Sequence, residues 1–424
     1  MQPASLLLYN LFIRLYSFAI FVASAFNAKA KLWVDGRRNQ RLDKLPNVDA
    51  SKKRIWVHCA SLGEFEQARP VIEKIKTDKP SSFIILTFFS PSGYEIRKNY
   101  SYVDTVLYLP VDTAENAQTF ISAINPDLAL FVKYEFWHHY LSELKRRKIP
   151  TVLFAAIFRK EQVFFKWYGG FFRNMLGCFD KIFVQNKESH DLLNGISISS
   201  QISFDTRFDR VFQIAQSSKP FPDIQKFKSD YKLLIAGSTW KTDEELLTKL
   251  VFNHRDFKGY KYIIAPHNLS EAGLTKLQYT LEINTHVDPP VNVVRLSKLT
   301  ADNAMSFNVI IVDTMGDLSS IYRYADIAYV GGGFDAGIHN VLEPAVYGLP
   351  VIFGPIYQKS AEAKELIEIS SAFSIEDEKQ LQNLVLKLDG NAEFMKTAST
   401  SAADYVKQRL GGVEDIYNCV VTVI

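Results

Sequence analysis

Tyr329 to Pro355 reads YVGGGFDAGIHNVLEPAVYGLPVIFGP, and its residue types suit a phosphorylated ligand. The apolar run Ile327 to Val330 ends in Gly331-Gly332-Gly333, where the missing Cβ atoms let backbone come close to a ligand. Asn340 is placed to cap a helix carrying Val341, Leu342, Glu343, Ala345 and Val346; Gly348 closes it before a strand over Leu349 to Phe353. Backbone N–H groups at a helix start attract phosphate. A carboxylate in the first turn, here Glu343, can accept hydrogen bonds from ribose hydroxyls. Glycine-rich strand ends alone mostly mark tight turns, so the specific signal is the whole string with Glu343 inside it. A second cluster is Ser61-Leu62-Gly63-Glu64, after the apolar run Ile55 to Ala60. S-x-x-E is the spacing of a capping box, and spacing alone reads Glu64 as the partner of Ser61. His138 and His139 are adjacent on a helical pattern, so they point apart and read as a surface pair. The chain has no D-x-D pair of the kind that holds Mg²⁺ and diphosphate, and no metal is expected.

Alternating strands and helices must position these groups. Ile55 to Ala60, Phe83 to Phe88, Thr105 to Leu109, Leu128 to Val132, Thr151 to Ala155 and Lys181 to Val184 are short apolar runs separated by helical patterns. They predict a parallel, doubly wound α/β sheet. Ser217 to Asp223, with two prolines, reads as a linker. A second series follows: Tyr231 to Ala236 ending in Gly237-Ser238-Thr239, Tyr262 to Ala265 ending in Pro266-His267, Val291 to Val294, and Asn308 to Val312. The last leads into Asp313-Thr314-Met315-Gly316-Asp317. Ligands of such sheets bind at the carboxyl ends of strands, so Gly237, His267, Gly316 and Gly332 are expected to line one cleft. The expected domains are an anchor helix over 1–28, a first Rossmann-like domain over 29–216 and a second over 217–424. The last helix is a candidate to pack back on the first domain.

Leu6 to Phe26 is almost continuously apolar and long enough to span a bilayer. Asn10, Arg14, Ser17 and Ser24 fall on one helical stripe. A central Arg costs roughly 2.5–3.5 kcal/mol in a spanning helix, a penalty that a helix lying in the interface with this stripe toward water avoids. Lys29, Lys31, Arg37, Arg38 and Arg41 follow, with Trp33 among them: a basic patch with an aromatic anchor, suited to anionic headgroups on a cytoplasmic face. Ala23-Ser24-Ala25 resembles a signal-peptide cleavage site, but no Lys or Arg precedes Arg14. Phe164 to Phe179 mixes aromatics with Lys166 and Arg173, and reads either as a core helix or as a second lipid-facing surface. Lys145 to Lys148 reads as a solvated helix end.

At 424 residues the chain is too long for one average core, and two domains of about 200 residues are expected. A net charge of +3 argues against nucleic-acid binding by bulk charge. Cys59, Cys178 and Cys419 are far apart, without metal spacing, and point to a reduced compartment.

Two Rossmann-like domains facing across a cleft, behind a membrane-anchoring helix, describe the GT-B architecture of glycosyltransferases. Over nearly the whole chain the sequence resembles the 3-deoxy-D-manno-octulosonic acid (Kdo) transferases of lipopolysaccharide synthesis. The resemblance rests on the order and spacing of His58 to Glu64, Thr87 to Gly93, Lys133-Tyr134-Glu135-Phe136-Trp137, Arg207-Phe208-Asp209, Gly237-Ser238-Thr239, Asp313 to Asp317, and Gly331 to Pro344. It implies an inverting transfer of Kdo from CMP-Kdo to a lipid A precursor (lipid IVA), at the cytoplasmic face of the cell inner membrane, without cofactor or metal. The first domain would bind the acceptor and the second the CMP-sugar. Another GT-B enzyme using a UDP-sugar is the alternative.

Through the resemblance Glu64 becomes the base that accepts the acceptor's proton, and Glu135 and Arg207 become stabilisers of the transition state. Arg207 would offer a forked donor to the Kdo carboxylate or the departing phosphate. Pro266, His267, Met315, Gly316, Asp317, Asn340, Val341, Leu342 and Glu343 match CMP-binding positions. Two of them depart from the family pattern: Pro266 stands where an Arg is frequent, and Asp317 where a Glu is. Ser61, Gly63, Ser92 and Gly93 are expected contacts of acceptor or donor sugar. The expected partners are CMP-Kdo, a lipid A precursor and the inner-membrane phospholipid surface, and no nucleic acid.

Overall fold

A computed structural model describes residues 3–46, 48–49, 51–253, 259–283 and 290–423. The chain divides into two compact units, 1–209 with 410–424, and 210–409. The boundary falls inside the helix Thr206–Gln216, not at the expected Ser217–Asp223 linker, which is only a short loop before the helix Pro222–Lys228.

Among the described residues the first unit holds seven strands, β1 (Arg54–Cys59), β2 (Phe83–Phe88), β3 (Thr105–Tyr108), β4 (Leu128–Val132), β5 (Thr151–Ala156), β6 (Lys181–Val184) and β7 (Gln201–Ile202). All neighbours pair in parallel, in the order β3-β2-β1-β4-β5-β6-β7. Helices cover both faces, which is why the strands are apolar throughout rather than alternating. In β1, Ile55, Val57 and Cys59 face a core shared with Phe65 and Ile72 of the helix Leu62–Asp78. Trp56 faces the opposite core, against Phe120, Phe131 and Tyr140. The last helix, Gly412–Val423, packs on the helix Leu62–Asp78 through Val413, Ile416 and Val420. Asp209 caps its start by accepting from the N–H groups of Gly411 (2.8 Å) and Val413 (3.1 Å).

The second unit also holds seven strands: β8 (Lys232–Thr239), β9 (Tyr260–Pro266), β10 (Val293–Arg295), β11 (Val309–Ile311), β12 (Ile327–Val330), β13 (Val351–Phe353) and β14 (Ala372–Ser374). Their order is β10-β11-β9-β8-β12-β13-β14, again all parallel. The main reversal of strand order lies between β1 and β4 in the first sheet and between β8 and β12 in the second, where β10 and β11 are also exchanged at the edge. Crevices that take ligands open at such switch points.

The N-terminal segment differs from expectation. Pro3–Ala23 is one helix; of its polar stripe Asn10 turns to the protein, Arg14 stays exposed, and Ser17 and Ser24 bond carbonyls of their own segment. The Tyr9 hydroxyl donates to Asp112 (2.5 Å), Asn10 Oδ1 bonds His139 Nε2 (2.7 Å), and Ile13 is buried between them and the next turn. Leu7, Leu8, Leu11, Phe12, Leu15, Phe18, Phe21 and Val22 are left exposed on the other side. His138 and His139 are therefore no surface pair: His138 is buried against Phe171, and His139 holds the helix. Trp33 is buried rather than an exposed anchor. Arg37 is no headgroup contact either. Its guanidinium lies 3.8 Å above the Trp33 ring and donates to the carbonyls of Leu109, Phe89 and Trp33. Burial pulls its pKa down to about 9. Lys29, Lys31 and Arg38 stay exposed. The segment Phe164–Phe179 is split: Phe164, Phe171, Met175, Leu176 and Phe179 are core, while Trp167 (91%) and Tyr168 (60%) are exposed. Of the basic run at 145–148, Arg146 and Arg147 both pair with Glu143.

Candidate active site

In the first unit Glu64 and Glu135 follow the two strands that flank the switch point. Glu64 does act as a cap: its Oε2 accepts from the backbone N–H groups of Ala60 and of Ser61 (3.1 Å). Burial raises its pKa, and the negative charge of Glu135 raises it further. The Ala60 and Ser61 N–H groups and the Lys133 ammonium pull it back, and the result is about 7. A carboxylate with that pKa is poised as a general base at neutral pH. The cap and the base are thus one side chain in two roles. Lys133 has φ +67°, rare for a residue with a side chain and a mark of a constrained site.

Glu135 is buried. Its Oε2 accepts from the Trp137 indole (2.7 Å) and from His58 Nε2 (2.9 Å). The buried polar groups Thr87 and Trp56 complete the row, at 2.8 Å from His58 Nδ1 and 2.9 Å from Trp56 Nε1 respectively to the Thr87 hydroxyl. Arg207 does not hold its fork open for a ligand. Its Nε (3.1 Å) and Nη2 (2.8 Å) donate to Asp205 Oδ2. Asp205 is buried and also accepts from Gln67 (2.6 Å) and Gln185 (2.7 Å). Burial alone would raise the Asp205 pKa, but the Arg207 charge and these donors hold it below the ordinary value. Ser61 and Gly63 lie in the turn with Glu64. Ser92 bonds Ser90 (3.0 Å). Gly93 is buried for a packing reason: a Cβ there would sit 2.2 Å from the Phe88 ring.

In the second unit the loops after β8, β9, β11 and β12 carry the expected ligand residues. Tyr329, Gly332 and Trp240 converge on one buried carboxylate, Asp243. It accepts from the Tyr329 hydroxyl (2.6 Å) and from the N–H groups of Gly332 (2.8 Å) and Trp240 (2.8 Å). Gly332 has φ +91°, and a Cβ would meet the Gly337 carbonyl at 2.5 Å. The rings of Trp240 and His267 stack at 5.0 Å, and those of His267 and His339 at 4.6 Å. The Trp240 indole donates to His339 Nε2 (3.0 Å). Gly316 has φ +85° in an open turn beside exposed Met315, and Asp317 begins the helix Leu318–Ile321. Asn340 stands one residue before the N-cap, Val341: its Oδ1 accepts from Leu342 N–H (3.1 Å) and its amide donates to Glu343 (3.1 Å). The helix it starts is only Leu342–Ala345, not Val341 to Val346 as expected. One turn carries little macrodipole, so the expected phosphate attraction falls to the turn N–H groups rather than to a helix end.

Asp243, Asp205, His58, Thr87 and Trp240 were not singled out by sequence. Asp243, three residues after Trp240, has N-cap spacing that would have found it. Asp205, His58 and Thr87 show only as buried polar groups once the strands are placed, and Trp240 only through its contacts with His267 and His339.

Solved structures share the fold over most of the chain. An Acinetobacter baumannii MurG is 10% identical with a TM-score of 0.54, over 88% of this chain and 99% of that one. A UDP-GlcNAc 2-epimerase from Neisseria meningitidis is 12% identical with a TM-score of 0.55, over 87% and 99%. With two parallel seven-stranded sheets, the protein has the GT-B fold. Residues 36–210 match the family described as 3-deoxy-D-manno-octulosonic-acid transferase (kdotransferase). Curated transferases of that name are 24% identical in Rickettsia prowazekii (92% of this chain, 84% of the relative) and 27% in Aquifex aeolicus (80% and 86%). Over most of its length the chain is similar to Kdo transferases, a likeness that indicates a glycosyltransferase.

Proposed function

We propose that the donor is CMP-Kdo, that the acceptor is a lipid A precursor such as lipid IVA, and that transfer inverts the anomeric centre. The observation that carries this reading is Glu64, a half-buried carboxylate at a switch point with its pKa brought to about 7. Glu64 takes the proton of the acceptor hydroxyl as that oxygen attacks C2 of Kdo. The C2–O bond to phosphate breaks, and its electron pair leaves with CMP. One displacement inverts the centre. The Glu135 carboxylate opposes the positive character that C2 gains, in a site where few water molecules screen it. Arg207, held by Asp205, supplies positive charge for the Kdo carboxylate or the leaving phosphate. In the second unit Glu343 accepts from the ribose hydroxyls. Pro266, His267, Met315, Gly316, Asp317, Asn340, Val341 and Leu342 surround the rest of CMP. A monophosphate leaving group of this kind departs with help from cations and N–H groups, so the reading requires no metal.

The same reading places the protein on the cytoplasmic face of the inner membrane. The Pro3–Ala23 helix is docked along one side on the first unit, so it lies in the interface with its exposed Leu and Phe side chains in the acyl boundary. Lys29, Lys31 and Arg38 meet anionic headgroups, and Trp167 and Tyr168 supply a second anchor. Calorimetric titration with CMP and UMP in the presence of a chelator tests the donor half. CMP is expected to bind at least about tenfold more tightly, a difference of about 1.4 kcal/mol. Preference for UMP would overturn the CMP-Kdo assignment in favour of a UDP-sugar donor.

A further inference from the structure

We infer that Lys133, with Arg159 and the Tyr134 hydroxyl, forms an anion-binding site beside Glu64 that takes a phosphate ester on the acceptor sugar. The inference rests on the reading of Glu64 as the base, and it names what in the acceptor the first unit recognises. The backbone places the lysine. Phe131 of β4 pairs with His58 of β1, so two residues further on Lys133 comes level with Ala60, whose N–H is one of the two that hold Glu64. On the other side Val132 pairs with Phe154 of β5, and the Lys133 N–H continues that ladder by donating to the Phe154 carbonyl (2.9 Å). Lys133 therefore stands beside Ala155, and both are left-handed, with φ of +67° and +55°. That region is costly for a residue with a Cβ, and glycine is the ordinary choice there. The two lie at strand ends where β5 and β6 also slip register between Leu153 and Ala156. Backbone of this kind persists only where the surrounding fold holds it. A turn alone would be served better by glycine, so the lysine side chain needs its own reason.

That side chain is half-buried, yet its Nζ is in no hydrogen bond or ion pair among the described residues. The Tyr134 ring centroid is 6.0 Å away, the outer limit of a cation–π contact. The Tyr134 hydroxyl and the Arg159 guanidinium have no hydrogen-bond partner among the described residues either. Charge ties the three to the base. The Lys133 ammonium draws the Glu64 pKa down, and Tyr134, its own pKa raised mainly by burial, feels both Arg159 and Glu64. The plain alternative is that Lys133 is a counter-ion for Glu64 and Glu135. A lysine kept for that purpose would pair with one of them. Instead Glu135 bonds Trp137 and His58, and Glu64 is held by the Ala60 and Ser61 N–H groups. Two cations and a hydroxyl suit a phosphate ester, with about two negative charges and three acceptor oxygens, better than a carboxylate with a single charge. The attacking hydroxyl must reach Glu64, so the ester belongs to the same sugar.

The test uses the full-length protein with Lys133→Met, Lys133→Arg and Lys133→Gly. Calorimetry with glucosamine 4-phosphate and with glucosamine, both soluble, reads the site without a membrane. Wild type is expected to bind the phosphate ester at least about tenfold more tightly than the plain sugar. Lys133→Met loses most of this preference, Lys133→Arg keeps it, and CMP affinity is unchanged in both. Kdo transfer reads the site under turnover, with a lipid A precursor that carries or lacks the phosphate on the attacked sugar. In Lys133→Met the KM for the phosphorylated acceptor rises about tenfold, while the KM values for the dephosphorylated acceptor and for CMP-Kdo stay as in wild type. Lys133→Gly, which suits the left-handed backbone, melts no lower than wild type and still loses the preference. This separates the side chain from the turn, and it decides the matter if Lys133→Met does not fold. A phosphate preference unchanged in folded Lys133→Met or Lys133→Gly overturns the inference. A KM that rises for CMP-Kdo and not for the acceptor gives the cation to the donor carboxylate and overturns it likewise. Wild type that shows the calorimetric preference but transfers no Kdo would overturn the proposed function and leave the anion site standing.

Discussion

Glu64→Gln should abolish transfer and, above neutral pH, stabilise the fold. In the folded protein the Glu64 pKa rises from 4.5 to about 7, mainly because the site is poor in water and then because Glu135 is negative. Between those two values the folded state holds a proton that the unfolded chain has released. Stability therefore falls as pH rises through this window, and the loss is complete above about pH 7. At about 1.4 kcal/mol per pH unit the full displacement comes to about 3 kcal/mol. Partial solvent access and the shared titration with Glu135 reduce this to roughly half, about 1.5 kcal/mol. A glutamine keeps an oxygen for the Ala60 and Ser61 N–H groups but never carries the charge. Thermal unfolding of wild type and Glu64→Gln from pH 5 to 8.5 reads the difference. The variant should match wild type near pH 5 and melt about 4 °C higher at pH 8, at roughly 2–4 °C per kcal/mol for a unit of this size. A Tm difference that does not grow with pH would refute the claim that Glu64 is a half-buried base whose pKa the fold raises.

Three other outcomes follow from the geometry. Arg207→Lys loses the two-pronged bond to Asp205, so kcat is expected to drop about 10–100-fold, with a lower Tm because buried Asp205 keeps its charge but loses its best partner; unchanged Tm would show the pair to be dispensable. Gly332→Ala places a Cβ against the Gly337 carbonyl at positive φ, and calorimetry should show CMP binding weakened at least tenfold while Glu64 titrates as before. Phe12→Ser with Phe18→Ser on the exposed face of the first helix should release the protein from anionic vesicles in a flotation assay, and Trp167→Ala should weaken binding without releasing it; retention by the double variant would argue against interfacial anchoring.

The strands were the most legible feature. Parallel strands are buried on both faces, so β2, β4, β6 and β12 stand out as runs of Val, Ile, Leu and Phe with the predicted ends. β7 left no such trace: Gln201 and Ile202 are both exposed, and two residues have no period to read. The Ser217–Asp223 stretch has a linker's composition, but composition does not show that Asp209, inside the preceding helix, is tied to Gly411 and Val413. The polar stripe of the first helix was visible, but the docking of Tyr9 and Asn10 was not, because Asp112 and His139 lie far along the chain. For Glu64 the local spacing announced a cap, which it is. Its basicity arises from Glu135 and from burial, and neither is local. The fork of Arg207 looked available because the partner, Asp205, is identified only by its burial among Gln67 and Gln185.

The most direct measurement is transfer with CMP-Kdo and a tetraacylated lipid A precursor in vesicles, with wild type and Glu64→Ala side by side. Wild type should release one CMP for each Kdo added, while Glu64→Ala binds CMP with unchanged affinity and does not turn over. Wild type that leaves CMP-Kdo intact but consumes a uridine-diphosphate sugar, or Glu64→Ala that retains wild-type turnover, would contradict the account.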